Sequence, residues 1–411
     1  MLHESLYYAA GQLTLDGHTL SAMAETVGTP FYAYSLPRAL ANLHRIQTAF
    51  APLQAHIHFS AKSNANLAVL RALIAAGAGV DAVSAGEVYR ALKAGANPEQ
   101  IVLAGVGKTD GELRYAVEVG VGWVNVENAD ELPTLDAVGA SLNRRVKVAL
   151  RLNPEVTANT HPYIATGHGA AKFGLTADAV RALLTDRERY PALDFAGLHV
   201  HIGSQLLDIE ATCQAVETAV KLAREHPNIT TLNIGGGLPV AYRPGDALPD
   251  PVAFAQALAP LLSGYHVLLE PGRSVIADAG VFVARVLYVK RQGGETFVIT
   301  DGSMAELIRP ALYKAYHHIL PVTASDAPPE AVNVVGPVCE TADVLGREVM
   351  LPPVKPGDLL AVLTAGAYGM VMASNYNARP RPPELVVHPD GSAWSVARRR
   401  ETWDDLIAHE V

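Results

Sequence analysis

The chain has 411 residues, 49% hydrophobic and 18% charged, and its 32 Lys and Arg against 41 Asp and Glu give a net charge of −9. That length sets a prior of two or three domains, the composition excludes a disordered or fibrous protein, and an acidic balance without a basic block excludes the electrostatic footprint of a nucleic-acid binder. Two cysteines, Cys213 and Cys339, make no disulfide framework and favour a reducing compartment.

No Lys or Arg precedes Arg38, so the N-terminus lacks the basic region of a secretory leader. The first 26 residues read as β-like, with a hairpin at 14–20, and are expected to pack on a C-terminal domain. Between 27 and 275 eight short apolar runs, at 56–60, 80–84, 101–105, 123–126, 146–152, 195–202, 231–234 and 265–269, alternate with Ala- and Leu-rich segments of helical period such as 67–76, 87–92 and 209–222. Eight strands alternating with helices predict a (β/α)8 barrel rather than an open sheet. From 276 to 411 the rhythm changes: 281–289, 296–300, 332–335, 359–363 and 385–387 read as strands without long helices between them, and Pro389-Asp390-Gly391 is a hairpin turn. A mostly β second domain is predicted there. Arg398, Arg399 and Arg400 beside Glu401 read as a solvated strand end. Uncharged windows at 251–269 and 359–378 are broken by Pro251, Pro260, Gly264 and His266, and by Ser374, Asn375, Tyr376 and Asn377, so neither reads as a membrane span. The expectation is a cytoplasmic protein without a membrane or nucleic-acid partner.

In such a barrel the reactive side chains stand at the C-terminal ends of the strands. The first run leads into Phe59-Ser60-Ala61-Lys62-Ser63-Asn64, where desolvation can make Lys62 a Schiff-base former; a surface lysine closing a strand would read the same way. The sixth ends Gly197-Leu198-His199-Val200-His201-Ile202-Gly203-Ser204-Gln205, with two histidines on one strand face. They could be core histidines or metal ligands, but no further ligand set stands at the other strand ends and no metal is expected. The remaining reading lays one imidazole against a cofactor ring and turns Ser204 to a phosphate. The seventh run enters Asn233-Ile234-Gly235-Gly236-Gly237, an anion nest or a plain tight turn, and the eighth ends Glu270-Pro271-Gly272-Arg273. A phosphate calls for glycines and an arginine, a pyridine nitrogen for a carboxylate, and an aldehyde for a lysine. The four at one mouth describe a pyridoxal phosphate site.

With these motifs, and with Ile308-Arg309-Pro310-Ala311-Leu312-Tyr313, Gly336-Pro337-Val338-Cys339-Glu340-Thr341-Ala342-Asp343 and Gly366-Ala367-Tyr368-Gly369-Met370 in the second domain, the chain resembles the fold-type III pyridoxal phosphate enzymes. Within them it is similar to the diaminopimelate decarboxylases over nearly its whole length. Ser63 is a departure, since alanine more often follows the lysine. The resemblance implies a (β/α)8 barrel of the alanine racemase type with a second, mostly β domain, pyridoxal 5′-phosphate as cofactor, and decarboxylation of meso-2,6-diaminopimelate to L-lysine, the last step of lysine biosynthesis.

The resemblance also implies roles. Lys62 bonds the cofactor, His201 stacks on its ring, and Glu270 pairs with its pyridine nitrogen. Ser204, Gly235, Gly236, Gly237 and Arg273, with the backbone of Pro271 and Gly272, take the phosphate. Tyr368 reaches the cofactor, Arg309 and Tyr313 clamp the substrate's distal carboxylate, with Arg273 and Tyr368 also touching substrate, and Glu340 accepts the distal ammonium. Cys339 is catalytic, although alone it reads as a small buried residue. Cys339, Glu340 and Tyr368 reach the site from the partner subunit of a homodimer whose active sites are shared. Asp81 and Arg151, at the ends of the second and fifth runs, hold Lys62 and the cofactor in place, and structural ion pairs at the rim would read the same way. The stretch 153–174 resembles the family's active-site loop, with an ordinary surface insertion as the alternative. Alternative functions are decarboxylation of ornithine, arginine or carboxynorspermidine, or a silent cofactor-binding regulator. Alanine racemase chemistry needs a tyrosine opposing the lysine, and no matching motif is present.

Overall fold

The structure, a computed structural model, describes residues 2–156 and 172–411. Eight parallel strands, β1 (His56–Ser60), β2 (Gly79–Ala82), β3 (Ile101–Leu103), β4 (Trp123–Val126), β5 (Val146–Arg151), β6 (Leu193–His199), β7 (Thr231–Asn233) and β8 (His266–Leu269), close into a barrel in chain order, β8 pairing back onto β1. Each is short and apolar because both of its faces are covered. The helices between them begin at side chains that satisfy free backbone N–H groups: Ser84 accepts from Glu87 at the head of Ala85–Lys93, and Thr109 with Glu112 forms a capping box at the head of Asp110–Val119. The longest, Ile209–Glu225, buries Ala211, Ala215, Val216, Ala219, Val220 and Ala223 along one face, and the small alanines let it lie close to its neighbours.

The chain divides into two compact units. One comprises Asn42–Pro239 and Leu248–Ser274; the other comprises Met1–Ala41, Val240–Ala247 and Val275–Val411. Residues 27–41, read from the sequence with the barrel, stand in the second of these. Phe31–Ser35 pairs antiparallel with the long strand Gly280–Gln292 and parallel with Glu384–Val387. All five of its residues are buried, so it carries no alternation that separates it from a barrel strand. Segment 240–247 likewise leaves the barrel unit.

The second unit is built on a nine-stranded sheet whose main path runs Val344–Leu351, Glu330–Val335, Glu295–Thr300, Gly280–Gln292, Phe31–Ser35, Glu384–Val387, Trp394–Arg398, with Leu359–Val362 pairing onto the long strand and Ile319–Pro321 onto Leu359–Val362. The N-terminal strands Leu6–Ala9, Gln12–Leu15 and His18–Thr19 form a separate antiparallel sheet. Its Leu6, Leu13 and Leu15 join Met23, Phe31, Val281, Val283 and Leu385 in one buried cluster. Each such side chain contributes roughly 1.5–3 kcal/mol on burial. The arginine run is engaged rather than merely solvated: Arg398 pairs with Glu401, Arg399 with Asp405, and Arg400 donates to the carbonyls of Val27, Gly28 and Pro30.

Candidate active site

Lys62 lies in the single turn Ala61–Ser63 that follows β1, and its Nζ stands 3.4 Å from Asp81 Oδ2 at the end of β2. The Ser60 hydroxyl donates to the same oxygen, and Ser63 donates to the Ser60 carbonyl at 2.8 Å, so the serine that departs from the family pattern closes the turn. Asp81 is fully buried. Burial and the nearby Glu270 carboxylate push its pKa up against the opposing pull of Lys62 and Ser60.

Glu270, just past β8, is held from three sides. Its Oε1 accepts from Asn233 Nδ2 at 2.6 Å and from Asn125 Nδ2 at 3.1 Å, and its Oε2 stands 3.2 Å from His199 Nε2. Burial raises its pKa, but the charges of His199 and Lys62 and the Asn233 amide outweigh burial and hold the carboxyl well below the usual carboxylate range. Two neighbouring carboxyls are thus driven apart, which is how a site keeps one ionised. Asn125 lies inside a strand and outside every motif, and Asn233, although it opens the glycine motif at the end of β7, is given no role by the sequence reading.

His201 lies past the end of β6 rather than on its ladder, which stops at the pairs His199 with Arg151 and His199 with Asn233. It is half-buried, and burial first, then Arg151, Lys62 and His199, lower its pKa well below the ordinary imidazole value. Its Nδ1 accepts from Gly236 N–H at 3.3 Å, which leaves the hydrogen on Nε2. At Gly236 a Cβ would stand 2.3 Å from the Glu270 carbonyl oxygen, so only glycine permits this approach; Gly235 and Gly237 adopt φ of 67° and 96°. Beside them Arg273 Nε donates to Ser204 Oγ at 3.1 Å.

Arg151 Nη1 donates to Glu127 Oε1 at 2.6 Å, and Glu127 Oε2 accepts from Gly174 N–H at 3.1 Å. Lys108, buried, donates to the carbonyls of Gly105 and Asn125 and pairs with Glu131 at 2.8 Å. This belt of buried ion pairs behind the mouth was legible only at Arg151. Of the predicted loop 153–174, residues 157–171 lie outside the described residues.

The barrel residues suit pyridoxal phosphate by observation of their own atoms. Asp81 Oδ1, Asn125 Oδ1 and His199 Nδ1 are buried with no hydrogen-bond partner among the described residues. Around that unspent polar capacity stand an amine for an aldehyde, an ionised carboxylate for a pyridine nitrogen, and glycines with a serine and an arginine for a phosphate.

The remaining predicted residues lie in the other unit. Arg309 is buried; its Nη1 donates to Tyr242 Oη at 3.0 Å and lies 3.1 Å from His317 Nε2. Tyr313 and Tyr368 are half-buried, and Tyr368 holds a left-handed backbone with φ of 56°. Cys339 is exposed, not the small buried residue it suggests in isolation. Glu340 accepts from the Tyr376 hydroxyl, and Asp343 ties the same loop by accepting from Val338 and Met304 N–H groups.

Residues 38–277 match the family described as pyridoxal-dependent decarboxylase, pyridoxal binding domain. The chain is 40% identical over 408 residues to a diaminopimelate decarboxylase of Aquifex aeolicus, covering 98% of this chain and 96% of the relative. It is 42% identical over 415 residues to one of Pseudomonas aeruginosa, covering 99% of each. A crystal structure of diaminopimelate decarboxylase from M. jannaschii in co-complex with L-lysine superposes with a TM-score of 0.94 at 33% identity, covering 100% of this chain and 99% of that one. One from Helicobacter pylori complexed with L-lysine gives 0.91 at 35% identity, covering 95% and 98%.

Proposed function

The chain belongs to the diaminopimelate decarboxylases within the pyridoxal-dependent decarboxylases, and on that premise we propose how its own residues carry the conversion of meso-2,6-diaminopimelate to L-lysine and carbon dioxide. Pyridoxal phosphate, when bound, supplies an electron-accepting ring next to the carboxylate that is lost. Lys62 Nζ would hold the cofactor through its aldehyde carbon, with Asp81 beside it. Glu270 would keep a proton on the pyridine nitrogen, and His201 would offer its ring to the cofactor. Ser204, Gly235, Gly236, Gly237 and Arg273 take the phosphate, joined by the backbone of Pro271 and Gly272.

In the same reading the protein acts as a cytoplasmic homodimer, and Cys339, Glu340 and Tyr368 serve the partner's site. The exposed Cys339 thiol donates a proton to the carbon whose bond to carbon dioxide breaks. Glu340 accepts the substrate's distal ammonium, and Arg309 with Tyr313 receives its distal carboxylate. The observation that carries this assignment is Arg309 itself: a buried guanidinium that no carboxylate pairs with among the described residues. A buried cation left this way is a binding site for an anion, and a substrate whose one carboxylate is the one lost has no second carboxylate to offer it.

Carbon dioxide release across meso-diaminopimelate, ornithine, arginine and carboxynorspermidine tests the substrate. Release from diaminopimelate far above the others is expected; equal or faster release from ornithine or arginine would overturn the carboxylate assignment. No release from any would mark a silent homologue.

A further inference from the structure

Arg309 opens the short helix Arg309–Tyr313, and both of its side-chain hydrogen-bond contacts among the described residues fall on one nitrogen, Nη1. His317 Nδ1 stands 2.9 Å from the Leu363 carbonyl oxygen. A carbonyl only accepts, so Nδ1 carries the ring hydrogen and Nε2 offers the lone pair that takes an Nη1 hydrogen. The main chain at Leu363 thereby sets the tautomer of His317. The second Nη1 hydrogen goes to Tyr242 Oη, and the guanidinium carbon lies 4.8 Å from the centre of the Tyr242 ring. Tyr242 and His317 meet edge to face at 88° with centroids 5.4 Å apart, which leaves neither ring free to turn alone. His317 is 2% exposed, so its ring cannot swing into water.

Nη1 has two hydrogens, and both are taken. The other edge of the guanidinium, Nε with Nη2, makes no hydrogen bond among the described residues. That edge is the fork whose parallel N–H groups match a carboxylate in a bidentate pair. Had the histidine and tyrosine bonded Nε or Nη2 instead, the fork would be half spent.

We propose that His317 and Tyr242 are specificity-determining positioning residues: by occupying Nη1 they reserve the Nε and Nη2 edge of Arg309 for the distal carboxylate of the substrate. The proposal rests on the reading of Arg309 as the carboxylate clamp, and the test separates the two. Equilibrium binding of L-lysine, which carries that carboxylate, and of cadaverine, which has the same chain without it, is measured on the holoenzyme and its variants, with KM and kcat for meso-diaminopimelate. Arg309→Ala should weaken L-lysine and spare cadaverine; equal weakening of both would overturn the clamp and the proposal with it. Given a selective Arg309→Ala effect, His317→Phe should weaken L-lysine and raise KM by about 10-fold, with kcat changed less than about 3-fold and cadaverine less than about 2-fold. His317→Gln, whose amide oxygen can accept from Nη1, should restore most of the loss. Unchanged L-lysine affinity in His317→Phe, or an equal loss for cadaverine, would overturn the positioning role while leaving the clamp standing. If His317→Phe does not fold, Tyr242→Phe decides: a roughly 3-fold loss confined to L-lysine supports the proposal, and unchanged affinity overturns it.

Discussion

Replacing Glu270 by glutamine changes one atom and most of the electrostatics of the barrel mouth. Asn125 and Asn233 both donate to Oε1, at 3.1 and 2.6 Å, so the glutamine carbonyl oxygen must stay there to avoid donor facing donor. Its NH2 group then replaces Oε2, 3.2 Å from His199 Nε2, and His199 can accommodate it only as the neutral tautomer with its hydrogen on Nδ1. Two charge-assisted hydrogen bonds become neutral ones, at a loss of about 1 kcal/mol each, while the desolvation cost of a buried charge disappears. These oppose, so Glu270→Gln should unfold in urea within about 1–2 kcal/mol of the parent. Activity has no such offset: a carboxylate that holds a proton on the pyridine nitrogen is lost, and about 3 kcal/mol of that contact corresponds to roughly 10²-fold in kcat. The assay is carbon dioxide release from meso-diaminopimelate at saturating substrate and cofactor, beside a urea titration. A kcat within about 3-fold of the parent would refute the role given to Glu270.

Glu87, whose carboxylate accepts from Val83 N–H, is raised to about 7 chiefly by burial, with Asp81 adding to it against the Val83 bond, Lys62 and Arg90. The folded state therefore holds this proton more tightly than the unfolded chain, and stability falls as pH rises from the ordinary carboxyl range through that value. Glu87→Gln keeps the acceptor and should gain on the parent by about 1–2 kcal/mol between pH 5 and 8 in paired urea titrations; a difference independent of pH would refute it. Inactive Lys62→Ala and inactive Cys339→Ala chains, co-assembled, should recover part of the activity through one intact site per heterodimer. No recovery in verified heterodimers would mean that each site is built within one chain.

The barrel was readable because a buried parallel strand is a continuous apolar run and the helix after it has a 3.6-residue period. All eight runs from 56–60 to 265–269 fall on β1 to β8, two with both ends coinciding and the others with ends shifted by at most three residues. Phe31–Ser35, buried on both faces in a different sheet, carries no alternation either. Val344–Leu351 was passed over because Arg347 and Glu348 interrupt it on an exposed stretch, and Ile319–Pro321 is too short to carry a period. Lys62, Glu270 and the glycines are visible because charged residues and three consecutive glycines end recurrent apolar runs. Asn125, Glu127 and His317 act through atoms brought close by the fold from distant positions, and an isolated asparagine or histidine in a sequence announces nothing about which atom it will hold.

The central claim is that Lys62 is the amine that bonds the cofactor. Borohydride reduction of the holoenzyme followed by peptide mass mapping fixes the cofactor to whichever lysine holds it. A pyridoxyl group on Lys62 alone, with loss of the visible absorbance band and of carbon dioxide release, is the expected result; the group on any other lysine would contradict the account.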